Sequence, residues 1–299
     1  MTFNRKHLIA DCILLLVALL WGTTFVASKY TLTYLTPFFI ISTRFIMAFA
    51  MMSLVFRKQF KTINKDELKG GIIVGTILFI AFATQLIALQ YTAAGKQAFL
   101  AGTYVVMVPF IVWAISKKRP DNRSFIGAFI CFLGIGFLTL NDSLTISFGD
   151  SLTMFSSLFF AGHIISTDHF VKKMDPVKLT IVQFGTVAVL GTTAAFMFEP
   201  IPTSMDSNGL LAILYLGILC TGIAYFLQTY AQKDTLSTHT AIILSLEAVF
   251  GSVLSLIVLK EVFTFRMVIG CIAILSAILV IELKGNSDSE EKNSELKAS

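Results

Sequence analysis

Apolar runs of about 20 residues alternate along the chain with short polar connectors, and a run of that length is what an α-helix needs to cross a hydrocarbon core of roughly 30 Å. The pattern predicts ten such helices, over residues 8–28, 37–56, 70–90, 95–115, 124–140, 149–169, 177–198, 209–230, 236–258 and 264–283. The connectors between them are 4 to 13 residues long, too short to hold a soluble domain. Arg5 and Lys6 precede the first run as they would in a signal peptide, but the run is of full spanning length and no small-residue cleavage site follows it. The first span is therefore expected to remain in the protein.

Composition agrees with this pattern. Of 299 residues, 56% are hydrophobic and 14% are charged, with a mean hydropathy of +0.80, whereas a soluble domain carries about 25% charged residues. Disordered, collagen-like and disulfide-stapled classes are excluded. Cys12, Cys131, Cys220 and Cys271 all lie inside apolar runs without metal-ligand spacing, and are read as small hydrophobes. The net charge of +5 comes from Lys and Arg scattered through the connectors, so no basic face marks a nucleic-acid partner. Their distribution instead orients the chain. Eighteen lie on the side of the N-terminus, four (Lys29, Lys96, Lys260, Arg266) on the other, and Arg44 lies within a span. By the positive-inside rule both termini are cytoplasmic. Residues 284–299 read as a solvated, disordered cytoplasmic tail.

The chain also repeats itself. A shift of 139 places Asp11 on Asp150, Pro37 on Pro176, Arg44-Phe45 on Gln183-Phe184 and Tyr91 on Tyr230, and a shift of 143 places Ile126-Gly127 on Ile269-Gly270. The halves are 8–140 and 149–283, with five spans each. Because five is odd, two copies of one fold must cross the membrane in opposite senses, an architecture used by carriers that expose a central site to each side in turn.

Several of these residues carry a family resemblance. Trp21-Gly22-Thr23-Thr24-Phe25 with Lys29, Pro37 and Arg44-Phe45 resembles the opening of the EamA repeat of the drug/metabolite transporter superfamily. Tyr91-Thr92-Ala93-Ala94 through Pro109, then Leu244-Ser245-Leu246-Glu247 and Leu259-Lys260-Glu261, resemble its fourth and ninth helices and the connector after the ninth. The resemblance covers about residues 8–283; one departure is Ala248, where the family often has proline. It implies an all-α membrane protein of two inverted five-helix repeats, with helices 1, 3, 4, 6, 8 and 9 around a central cavity. It further implies a multi-pass protein of a bacterial inner (plasma) membrane that exports amino acids, related metabolites or drugs, commonly on an ion gradient.

Ionisable groups deep in hydrocarbon are costly and are functional candidates by default. Asp11, Lys96, Asp150, Lys178, Arg266 and Glu282 lie within about a turn of a span end and are expected to reach the interface. Glu247 lies near the bilayer midplane, where desolvation disfavours a charged carboxyl. It is a candidate for H⁺ coupling or substrate binding, and equally for a structural hydrogen bond. Arg44 is read as a structural or outer-gate residue. His163, with Ser166 and Thr167 in register, is either a cavity residue or a packed hydrogen-bonding histidine. Trp21, Thr23, Thr24, Gln85, Tyr104, Tyr225 and Ser245 complete the candidate substrate-binding set, because such side chains line a wet cavity while offering apolar walls. Tyr225 and Gln228 read equally as interfacial anchors or helix glue. Gly71-Ile-Ile-Val-Gly75 would permit close helix approach; monomer and homodimer both remain open.

No nucleophile elbow, HExxH motif or Walker loop is present, so neither an enzyme nor a cofactor, metal or ATP site is expected. The expected partners are a small-molecule substrate, the lipid bilayer and H⁺. A passive channel and, further off, an intramembrane enzyme are the alternatives, though no selectivity-filter signature is found.

Overall fold

The computed structural model describes residues 5–117, 119–120, 122–139, 146–202, 205–235 and 237–282, so Lys118, Asp142 and the 284–299 tail lie outside the described residues. Among the described residues the chain is helical, without a strand. The helices are α1 (Arg5–Thr31), α2 (Pro37–Val55), α3 (Arg57–Lys61), α4 (Lys65–Leu89), α5 (Ala94–Gly102), α6 (Tyr104–Ser116) and α7 (Asn122–Thr139). They continue with α8 (Phe148–Val171), α9 (Pro176–Phe198), α10 (Ser207–Leu214), a π-helical segment (Tyr215–Ile223), α11 (Ala224–Ala231), α12 (Ser237–Leu244), α13 (Leu246–Val258) and α14 (Phe265–Glu282).

Among the described residues, seven stretches are long and apolar enough to cross a membrane: Leu8–Thr31, Pro37–Val55, Lys65–Leu89, Ala94–Ser116, Pro176–Phe198, Ser207–Ala231 and His239–Val258. The three other expected spans are also helices. The apolar stretches of α7 and α14, Asn122–Leu138 and Phe265–Val280, are shorter, and α8 carries Asp150, His163, Asp168 and His169 among its apolar residues.

Helix starts follow local chemistry. Pro37 and Pro176 occupy the first positions of α2 and α9, where a missing N–H costs nothing. Asn64 and Glu67 form a reciprocal capping box on α4, and Ser147, Asp175 and Asp206 accept from the first-turn amides of α8, α9 and α10. Beyond the end of α9, the Glu199 carboxylate accepts from Thr36 Oγ1 and from the amides of Phe38 and Phe39 at 2.6–3.1 Å, capping α2 from across the bundle.

Two long helices break at hydroxyl residues. Thr103 separates α5 from α6 and Ser245 separates α12 from α13; in each case the hydroxyl donates to the carbonyl three residues back, Leu100 and Ile242, at 2.6 Å. The backbone tightens there into three-residue bonding, with Val106 N to Thr103 O and Ala248 N to Ser245 O both at 3.0 Å.

In the packing, α7 lies along α14 and α2 along α9; α1 packs on α13, and α4 on α8 and α9. Glycine permits the closest of these approaches. A Cβ on Gly22 of α1 would fall on Phe250 and the backbone of Gly251 in α13, and one on Gly71 or Gly75 would fall on Val182, Gln183 or Thr186 of α9. The Gly71–Gly75 pair is thus used within the chain.

Four of the six residues expected to reach the interface pair between helices instead. Asp150 is fully buried and bound to Lys96, Lys178 meets Glu67 at 3.1 Å, and Asp11 meets His239 at 2.9 Å.

Candidate functional site

Mid-bundle, α1, α2, α4, α6, α8, α11 and α13 surround a small cavity, with about 30 Å³ open to the centres of water-sized molecules. That is room for roughly two waters. Eight of the ten residues singled out from the sequence line it: Trp21, Thr24, Arg44, Gln85, Tyr104, His163, Tyr225 and Glu247. Thr23 and Ser245 do not. Thr23 Oγ1 turns to the Leu20 carbonyl and the Tyr215 hydroxyl, and Ser245 is spent on the α12–α13 break.

Tyr225 is the centre of the aromatic wall. Its ring lies 4.5 Å from that of Trp21, and Phe45, Phe82, His163 and Phe184 surround it at 5.7–6.4 Å between centroids. Trp21 is fixed by its indole N–H, which donates to the Cys220 carbonyl at 3.1 Å. Phe25, Phe82, Phe160, Ile164 and Gln228 complete the lining. Hydropathy does not distinguish a cavity-facing Phe or Ile from a lipid-facing one, so the first four are not among the sequence candidates; Gln228, expected to be an anchor or helix glue, is fully buried.

Arg44 is 1% exposed. It does not reach toward the helix end: its Nε donates to Thr221 Oγ1 at 3.0 Å and its guanidinium lies 4.8 Å from the Phe82 ring centre. The π-helical segment sets up this contact, because Thr221 donates in turn to the carbonyl of Leu216, five residues back, at 2.7 Å. Such widened turns recur at functional sites. Among the described residues no carboxylate lies within ion-pair distance of Arg44. Glu247 borders the same cavity two residues after the Ser245 break, with Tyr104, the first residue after the Thr103 break, beside it. Among the described residues the Tyr104 hydroxyl makes no hydrogen bond of regular geometry, and the Glu247 carboxyl is the polar group beside it. The cavity therefore holds a cation, a carboxyl group and a phenolic hydroxyl inside an aromatic wall.

His163 is a bridge. Its Nε2 lies 3.0 Å from Gln183 Oε1 and 3.4 Å from Thr167 Oγ1, and Gln183 Nε2 donates to Thr229 at 3.4 Å, tying α8 to α9 and α11. Ser166 instead returns its hydroxyl to the His163 carbonyl. Among the described residues, no cluster of His, Cys, Asp and Glu could hold a metal ion. A larger groove of about 560 Å³ between α2, α3, α4 and α9 is lined by apolar chains such as Phe49, Phe60 and Ile72, and no ionisable group lines it.

Comparison with known proteins follows the same lines. The sequence profile of the EamA-like transporter family matches twice, over residues 8–140 and 147–283. An uncharacterized transporter of Archaeoglobus fulgidus is 33% identical over 279 residues, covering 93% of this chain and 87% of that one. YyaM of Bacillus subtilis, also an uncharacterized transporter, is 24% identical over 288 residues, covering 92% and 93%. One crystal structure shares the fold with a TM-score of 0.70 at 17% identity, over 92% of this chain and 96% of that one.

Proposed function

The chain belongs to the EamA-like transporter family, and from that premise we propose that it is a secondary active carrier that exports amino acids or related amphipathic metabolites and drugs by alternating access. That it is a multi-pass membrane transporter follows from the family and its apolar helices. The observation that carries the finer reading is the mid-bundle cavity, where Arg44 and Glu247 line one space without pairing with each other. A guanidinium offers bidentate bonds to a carboxylate, a carboxylate accepts an ammonium, and the Trp21–Tyr225 wall takes an apolar side chain.

In this reading the protein has ten membrane crossings in two inverted halves, with both termini cytoplasmic. Support comes from the two successive family matches, from the 18-to-4 bias of basic residues, and from the reciprocal packing. α2 meets its counterpart α9, α7 meets α14, and both halves carry a hydroxyl-induced break ahead of a cavity residue. Glu247 is the coupling group. A proton and the cationic end of the substrate take turns on its carboxylate, so that a proton moving inward drives a substrate outward. His163 serves as the bridge that fixes α8 against α9. The test is flux into sealed inside-out vesicles under an imposed pH gradient, for a panel of amino acids, amino-acid analogues, nucleobases and cationic drugs. Saturable, gradient-dependent accumulation of unmodified substrate is the expected result. A covalently changed product would mean an enzyme, and non-saturating flux without counterflow would mean a channel.

A further inference from the structure

Among the helices that line the cavity are α1, α8, and α6 and α13, the second halves of the broken helices α5–α6 and α12–α13. At the end of the bundle where the chain begins, Asp11 of α1 meets His239 of α12, Oδ1 to Nε2, at 2.9 Å. At the far end, Asp150 of α8 meets Lys96 of α5, Oδ2 to Nζ, at 2.5 Å. These are the same two positions of the repeat. The shift of 139 carries Asp11 onto Asp150, the shift of 143 carries Lys96 onto His239, and Lys96 and His239 are each the third residue of their helix. Each pair thus joins a cavity-lining helix, α1 or α8, to a broken helix at one end of the bundle, and both are made while the cavity has room for only about two waters.

We propose that Asp11–His239 and Asp150–Lys96 are the two alternating locks of the carrier, each broken when the cavity opens at its own end and kept when it opens at the other. This rests on the alternating-access reading above. The locks differ in strength. In the far-end pair Asp150 is fully buried and Lys96 is 17% exposed, with Asp150 also accepting from Thr92 Oγ1 at 2.9 Å. Around it Lys29 donates to the carbonyls of Leu89 and Thr92, and Glu261 accepts from the amides of Ala94 and Gly95. The near-end pair is about one-third exposed on both side chains, and the position equivalent to Lys29, Asp168, is bound within its own helix to Lys172. The near mouth therefore opens at lower cost.

A cysteine at Thr24, on the cavity wall, reports access from either end. In a background lacking the four native cysteines, Thr24→Cys is labelled with a membrane-impermeant maleimide added to right-side-out or to inside-out membrane vesicles. Asp11→Asn is expected to raise the labelling rate from the near end by about two- to fivefold, the range of an exposed pair, with no change from the far end. Lys96→Met is expected to raise it from the far end by at least about tenfold, because the fully buried Asp150 carboxylate is left without its partner. Exchanging the near pair, Asp11→His with His239→Asp, should return the rate to its starting value. Unchanged rates in Asp11→Asn, or equal increases from both ends, would overturn the proposal even if Lys96→Met does not accumulate. Labelling needs no substrate. One-sided changes without flux of any compound would remove the transport reading and leave the locks, whereas flux with unchanged labelling would remove the locks alone.

Discussion

Replacing Arg44 by glutamine tests whether the cavity binds the carboxylate end of its substrate. Arg44 is 1% exposed and makes one described hydrogen bond, from Nε to Thr221, which leaves its two terminal nitrogens for a ligand. A charge-assisted hydrogen bond contributes about 1.5–3 kcal/mol, so losing one carboxylate contact weakens binding by roughly 10- to 150-fold, at 1.4 kcal/mol per decade. Glutamine keeps a donor, which puts the expectation near the lower end for a carboxylate-bearing ligand and near zero for the same compound as its amide. The protein supplies the assay. It has two tryptophans; Trp21 lines the cavity and Trp113 lies partly exposed on α6. In a Trp113→Phe background the quenching of Trp21 fluorescence reports occupancy directly, without transport. Thr221→Val, which removes the Nε acceptor but keeps the charge, should cost a smaller, several-fold loss. If Arg44→Gln binds the acid and its amide with the same ratio as the native chain, Arg44 does not contact the substrate. Its burial then serves only to join α2 to the π-helical segment.

Glu247→Gln keeps size and hydrogen bonding but cannot titrate; it should abolish pH-gradient-driven accumulation in vesicles while substrate-for-substrate exchange continues, and accumulation that persists would make the carboxyl structural. Cysteines near Lys117 and Lys172 should be labelled only from the cytoplasm, and those near Asp142 and Asp206 only from outside; labelling of the 199–208 loop from inside would sink the topology. Gly22→Val should lower thermal stability by about 1–3 kcal/mol through overpacking, because its Cβ falls against Phe250 and the Gly251 backbone; an unchanged melting temperature in detergent would mean that α1 and α13 can separate at no cost.

Helix positions were legible in the sequence because a span is decided by a sum over about 20 residues, which tolerates local irregularity. The irregularities were not. Thr103 and Ser245 sit in unbroken apolar runs, and the break at each arises when a hydroxyl competes for a carbonyl within the same turn, a choice that composition does not record. A hydroxyl in a span invites the assignment of Ser245 to the cavity, but its hydrogen bond is spent on the backbone. Thr23 fails in the same way, while Thr24, its neighbour, also returns its hydroxyl to the helix but faces the cavity. Depth alone could not separate them, since adjacent helical residues point about 100° apart and the facing direction is set by the packing of α1 on its neighbours.

The ionisable residues near span ends show the other boundary of sequence reasoning. Each of Asp11, Lys96, Asp150 and Lys178 looks able to snorkel when its helix is considered alone. The partner lies up to 228 residues away in the chain, as for Asp11 and His239, and only the folded arrangement of helices supplies it. Yet the repeat is visible in the sequence, and the shift of 139 that lays Asp11 on Asp150 matches two aspartates that each pair with a neighbouring helix, at opposite ends of the bundle. Lys96 and His239 occupy equivalent positions with different side chains. The pairs at the two ends of the bundle are therefore alike in placement and unlike in burial, and under the proposed alternating-access reading that difference makes one end open at lower cost than the other.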